Sequence, residues 1–166
     1  MKLNIGCGSD YREGFINIDG NDKIKTDQII DLNKSSLCCY YHENTIEMVL
    51  CNDIIEHFFH WEALQLLKDI YSILSQNGIL EIRVPDIEYI INSNYPLNSK
   101  ISMIYGGQDI DQPSSDMNDT RKKFPHFFCH KYGWTQQSMS DTLKSIGFRI
   151  MDIQRIDTNF IIHVQK

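Results

Sequence analysis

The sequence predicts an α/β fold whose sheet is mostly parallel and ends in an antiparallel hairpin. Short apolar runs occur at Lys2–Ile5, Phe15–Ile18, Gln28–Ile30, Met48–Cys51 and Ile79–Val84, with crossover connections between them. Trp61, Leu64, Leu67, Ile70, Tyr71 and Leu74 recur at helical spacing between the last two of these runs. The final runs, Phe148–Ile153 and Phe160–Val164, are separated only by a turn at Asp157-Thr158-Asn159. Crossovers join parallel strands and tight turns join antiparallel ones, so the pattern fixes the class.

Taken in order, the first connection, Gly6 to Gly14, has nine residues. A parallel crossover normally needs a dozen or more, so this one has room for a loop or a single helical turn. The third run leads into Asp31-Leu32 after another short connection, and residues 33–44 are polar and cysteine-rich, with Tyr40-Tyr41 expected to cover part of the core. The fourth strand enters Asn52-Asp53-Ile54-Ile55-Glu56-His57. The helix that follows is expected to close at Asn77-Gly78. Pro85 ends the fifth strand because it cannot donate to a ladder. Periodicity then fails from Asp86 to Trp134, apart from a short helix over Ile87–Ile91. The aromatic density of Phe124–Trp134 predicts an ordered lid there. Thr135 caps a last helix carrying Met139, Leu143 and Ile146, and Gly147-Phe148 stops it.

A chain of 166 residues fits one domain over 1–166. Its net charge, 16 − 22 = −6, argues against a phosphate-backbone binder, so nucleic acid is not an expected partner. The basic trio Arg121-Lys122-Lys123 reads as a solvated loop. Five cysteines without a CxxC pair suggest neither a disulfide framework nor a zinc finger. With no leader pattern at Met1 and no bilayer-length apolar run, the expected location is the cytoplasm.

Gly6-Cys7-Gly8 directly after a buried strand lets a ligand approach the backbone, and Asp19, ending the next strand, can accept from a ribose diol. A nucleoside-containing ligand is therefore expected at the carboxyl ends of adjacent strands. The dinucleotide fingerprint does not fit: Tyr11 occupies the third glycine position, and Asp19 follows far sooner than about 20 residues on. The lysine-bearing P-loop pattern is absent as well.

The order Ile5-Gly6-Cys7-Gly8, Asp19, Asp31-Leu32, Asn52-Asp53 with Ile55-Glu56-His57, then Leu74-Ser75-Gln76-Asn77-Gly78 resembles the class I S-adenosylmethionine-dependent methyltransferases. Within them it is similar to a small bacterial group that opens Leu-Asn-Ile-Gly-Cys-Gly and often accompanies sugar or surface-polysaccharide genes. The resemblance implies a three-layer Rossmann-like methyltransferase fold, here with reduced N-terminal crossover helices. It also implies S-adenosyl-L-methionine as cofactor and methyl transfer to a small-molecule or glycan acceptor, a hydroxyl being favoured, in polysaccharide biosynthesis. By the same resemblance Gly6, Cys7, Gly8 and Asp10 would meet the methionine portion, and Asp19 the ribose. Asp31 and Leu32 would meet the adenine, while Asn52 and Asp53 would line the methionine and acceptor side. The family's Asn-Pro-Pro-Tyr and Pro-Cys signatures of base methylation are missing. Because parallel sheets are normally covered on both faces, the trimmed crossovers raise the expectation of a partner subunit, a homo-oligomer completing one face.

His57 is the candidate general base, its alternative being a helix-start anchor. His126, His130, Tyr132 and Trp134 are candidate acceptor-side residues or simply lid packing. His126, Cys129 and His130, or His57 with His60, lack a third ligand at convincing spacing, so no metal is expected. Two other functions share these residues: a non-catalytic S-adenosylmethionine-binding or assembly protein, and a nucleotide-sugar-binding enzyme.

Overall fold

Seven strands form one sheet in the order β3-β2-β1-β4-β5-β7-β6. They are β1 (Lys2–Ile5), β2 (Ile16–Asp19), β3 (Gln28–Ile29), β4 (Ile46–Asn52), β5 (Leu74–Pro85), β6 (Arg149–Ile156) and β7 (Asn159–Gln165). The computed structural model describes residues 1–108 and 121–166, so the part of the expected irregular stretch at 109–120 lies outside the described residues. β1 to β5 pair in parallel, β7 runs antiparallel to β5, and β6 pairs antiparallel with β7. The expected parallel sheet with a terminal hairpin is what forms.

Pairing register divides the strand side chains between two unlike faces. One face carries Leu3, Ile5, Ile18, Val49, Cys51, Leu80, Ile82, Val84, Phe160, Ile162 and Val164, all buried in the main core. Over it lie α1 (His60–Ile73) and α4 (Gln136–Ile146), which pack on each other, with α1 also on a 3-10 turn at Leu37–Cys39. The other face carries a row running across the strands: Asn17, Asn4, Leu50, Glu81, His163 and Asp152 are successive register partners. Most of that row is polar, and the pairs Asn4–Asn17 (3.0 Å) and Glu81–His163 (3.1 Å) bond along it. No helix forms in the connections β1–β2 or β2–β3, so the expected reduction of the crossover helices is complete and both connections are loops. A row of hydrogen-bonding side chains does not require the apolar cover that a buried parallel sheet needs.

Local differences from the sequence reading have clear causes. α1 ends at Ile73 rather than Asn77, and Leu74 already pairs with Ile46. Gly78 is then required by close approach, since a Cβ there would lie 2.8 Å from the Ser75 carbonyl oxygen, and Asn77 takes φ +68°. Within α1 the buried face is Ala63, Leu66, Leu67, Ile70 and Ile73, whereas Trp61 is 66% exposed and stacks on Phe59 at 4.8 Å. The spacing was helical, but its apolar stripe is rotated from the one Trp61 suggests. Buried Asp69 on the same helix accepts from Ser36 (2.5 Å) and Gln65 (2.8 Å), which fixes the 3-10 turn against it. Two short helices, α2 (Ile87–Asn92) and α3 (Leu97–Tyr105), follow β5, and α3 occupies chain expected as loop. α4 starts as expected, with Thr135 Oγ1 accepting from Ser138 N at 3.1 Å. It ends at Gly147 (φ +120°), after which Phe148 packs edge-on to Tyr71.

At the edges, β3 has only two residues, and β6 is largely exposed with a register shift between Ile150 and Asp152. No helix among the described residues is long and apolar enough to cross a membrane.

This placement of α1 separates two residues that share one spacing pattern. Leu67→Ala is expected to lower unfolding free energy by about 2–5 kcal/mol, because it leaves a cavity in the core. Trp61→Ala is expected to cost about 1 kcal/mol or less. Urea denaturation of both variants measures the contrast.

Candidate functional site

The glycine turn is built by backbone conformation. Gly6 (φ +62°) and Gly8 (φ +51°) both lie in the left-handed region that disfavours side chains. A Cβ on Gly6 would also overlap Ile54, whereas Gly8 faces open space. Cys7 between them is buried and its N–H donates to the Ile18 carbonyl at 3.0 Å. Asp19 at the end of β2 closes the turn from below. Its Oδ2 accepts from Gly8 N and its Oδ1 from Asn21 N, both at 2.9 Å.

Two buried asparagines hold the connection that has no helix. Asn17 Oδ1 accepts from Arg12 N (2.9 Å) and Asn4 Nδ2 (3.0 Å), and its Nδ2 donates to the Arg12 and Phe15 carbonyls. Asn4 Nδ2 also donates to the Asp10 carbonyl at 2.7 Å. Asp27 completes the cage by accepting from Asn17 N (2.8 Å) and the Tyr11 hydroxyl (2.9 Å), and Lys25 sits 3.8 Å from the Tyr11 ring centroid. Bonds from Asn17 and Tyr11 push the Asp27 pKa down, which fits a carboxylate acting only as an acceptor.

Above this turn opens a cavity of about 680 Å³, within the range of small-molecule sites. Gly6, Gly8, Asp19, Asp31, Leu32 and Asp53 line its floor at the strand ends. Phe124, His126, Phe127 and Phe128 line it from the opposite side, with His57 and Phe58 between. The aromatic stretch thus forms a cavity wall. It is anchored by Gly107 N to the Phe128 carbonyl (3.0 Å) and by Lys131 N to the Glu56 carbonyl (2.8 Å).

Other sequence-predicted residues lie elsewhere. Cys7 is in the core, and Asp10 pairs with Arg12 at 2.8 Å outside the cavity wall. Asn52 turns to the polar sheet face, where its Nδ2 donates to Glu81 at 2.8 Å. Trp134 is 1% exposed and packs with Tyr132 around His60, while His130 stacks edge-on against His57 at 5.1 Å. These side chains support the wall from behind.

Charge at the site is strongly organised. Asp53, in the left-handed region at φ +54°, is ion-paired with Arg83 and accepts from Asn159 at 3.0 Å. For Asp31, burial raises the pKa, but Lys34 at 2.8 Å and Asn33 together pull it below the ordinary value. Glu56 is buried, and that burial, with Asp53 nearby, pushes its pKa up to about 8. Burial likewise lowers His57 to about 4, against the opposing bond to the Cys129 carbonyl at 3.0 Å. His57 is therefore neutral near neutrality, with Nδ1 as the donor and Nε2 carrying the lone pair. Burial lowers His130 too, opposed by the Ile104 and Met103 carbonyls.

Three residues escaped the sequence reading. Asn17 was read as an ordinary strand residue, and the Ile-Asn-Ile alternation puts it on the face away from the apolar core, where its burial comes from the loop it bonds. Ile54 and Phe58, both in the cavity wall, flank a motif read for its polar members alone.

A strand order of this kind, with one reversed strand and a glycine turn bonded to a strand-end carboxylate, is that of the fold shared by S-adenosylmethionine-dependent methyltransferases. Solved structures share that fold. The chain is similar to an S-adenosylmethionine-dependent methyltransferase from Mesorhizobium loti, with TM-score 0.65 and 11% identity over 99% of this chain and 90% of that one. A Methanosarcina mazei S-adenosylmethionine-dependent methyltransferase gives 0.64 and 13% identity over 99% and 91%. The Burkholderia thailandensis 1,6-didemethyltoxoflavin-N1-methyltransferase, solved with its substrate and S-adenosylhomocysteine, gives 0.62 and 14% identity over 99% and 70%. No protein-family model matches the chain. No curated protein matches it.

Because Asn17 replaces a helix as the support of the glycine turn, Asn17→Ala is expected to cost about 1–3 kcal/mol from orphaned partners. Thermal unfolding measures this loss, and amide exchange at Gly8 and Arg12 should quicken along with it.

Proposed function

We propose that this chain is an S-adenosylmethionine-dependent methyltransferase acting on a small-molecule or glycan acceptor, with a hydroxyl as the favoured group. The observation that carries the reading is the alignment of Gly8, Asp19 and Asp31 along one cavity at successive strand ends. Asp19 holds the turn through two backbone N–H groups and keeps lone pairs for a ribose diol. Leu32 beside Asp31 offers an apolar surface for a purine. The fold's likeness to methyltransferases, one holding S-adenosylhomocysteine, supports the same cofactor here.

When bound, the cofactor supplies a methyl group on a sulfonium. In the transfer, an acceptor lone pair forms the new bond to the methyl carbon as the carbon–sulfur bond breaks. The electron pair stays on sulfur, leaving a neutral thioether. An activated leaving group asks little covalent chemistry of the protein, so positioning and exclusion of water dominate. Phe124, Phe127 and Phe128 supply the dry wall on the acceptor side. His57, which lines the cavity and is neutral at physiological pH, is the candidate acceptor of the hydroxyl proton.

Titration calorimetry with S-adenosylmethionine, S-adenosylhomocysteine and a nucleotide sugar tests the reading. Binding of the two sulfur ligands and not the sugar is expected. Folded protein that binds neither sulfur ligand would sink it, and binding without turnover across an acceptor panel would favour a non-catalytic binder. Asp19→Ala is expected to weaken S-adenosylhomocysteine by roughly 10- to 100-fold, the worth of a charge-assisted hydrogen bond. Unchanged affinity would remove the ribose assignment.

A further inference from the structure

Glu56, His57 and His130 come together although 72 residues separate the His57–Cys129 contact beside them. One ligand atom from each lies within 4.8 Å of the others. Glu56 is 3% exposed, and its Oε2 is buried without a hydrogen-bond partner. A buried carboxyl oxygen left unpartnered is costly and calls for an explanation.

His57 is arranged in the manner of a metal ligand. A ligating imidazole typically donates its other ring N–H to a backbone carbonyl or carboxylate, which fixes tautomer and ring orientation. His57 does this through Nδ1 to the Cys129 carbonyl, leaving Nε2 available. The His130 ring lies edge-on to His57 at 5.1 Å, close enough to the Ile104 and Met103 carbonyls near the end of α3 for them to act on its pKa. The backbones are fixed as well: Lys131 N and Tyr132 N both donate to the Glu56 carbonyl, and His130 N donates to the Tyr105 carbonyl. A small closure of the three side chains reaches the roughly 3.4 Å separation of atoms that share one ion at about 2.1 Å.

We propose that Glu56, His57 and His130 form a divalent transition-metal site between the turn after β4 and the aromatic wall. Two imidazoles and one carboxylate suit zinc, iron, cobalt or manganese rather than magnesium or calcium, which take oxygen donors. Three protein ligands leave positions open to an exchangeable group, and His57 places the site at the cavity's edge. An oxygen of the acceptor would occupy such a position, and with His57 Nε2 then a ligand the ion would take over from the imidazole in easing loss of the hydroxyl proton; this last role, unlike the site itself, rests on the methyltransferase reading. The sequence reading expected no metal because it paired histidines by proximity in the chain and did not include Glu56.

Cobalt(II) added to metal-stripped protein tests the site directly. About one equivalent per chain is expected, with visible absorption from a nitrogen- and oxygen-ligated ion, displaced by zinc. Glu56→Gln, which keeps side-chain shape, and His130→Asn should each lower cobalt affinity by at least about 10-fold. His42→Ala, at an exposed histidine, should leave it unchanged. No absorption band in the wild-type protein, or equal binding by Glu56→Gln and His130→Asn, would overturn the proposal. S-adenosylhomocysteine calorimetry on the same samples keeps the two readings apart: cofactor without cobalt overturns only the metal site, and cobalt without cofactor only the methyltransferase.

Discussion

The shortness of the first connection governs much of this structure. β1 and β2 must lie side by side in parallel, yet residues 6–15 are too few for a covering helix. Backbone groups that a helix would have satisfied internally need other partners. Asn17 and Asn4 provide them from within the strands, so the polar atoms that hold the loop are themselves part of the sheet. The choice propagates sideways. Once one sheet face begins with asparagines, Glu81 and His163 can continue it as a polar row, and the helices concentrate on the other face.

The same economy appears at the cavity. The floor is made of strand ends and turns, which are rigid because each is bonded into the sheet. The opposite wall comes from residues more than 60 positions further on, held by main-chain bonds to the turn after β4. Glu56 is central to that connection. Its carbonyl anchors residues 131 and 132, while its carboxyl Oε2 is buried without a hydrogen-bond partner.

Local signals made much of the fold legible. The glycine stop after Ile146, the Thr135 cap and the short turn before Asn159 each carry their own conformational preference, and all appear where the residues require them. Trp61 misled because helical spacing alone does not tell which neighbouring stripe faces the core. Asn77-Gly78 has the composition of a helix stop, yet tertiary pairing of Leu74 with Ile46 ends the helix earlier. At the site, Gly6, Gly8, Asp19 and Asp31 were readable because strand ends converge on one edge in such sheets. For His130 and Trp134 the sequence left acceptor contact and lid packing both open, since a side chain's direction in an irregular segment depends on anchors that are remote in sequence, and packing is what they show.

The two sheet edges limit how copies of this chain could meet. β3 offers only two residues of ladder, and β6 is kinked by its register shift and bears Asp152, Gln154 and Arg155. Short, charged and bent edges resist the addition of another strand. β3 is too short to template another strand, and on β6 the register shift and the charged side chains disfavour edge-to-edge addition, so side-chain surfaces are the easier route by which two copies could meet.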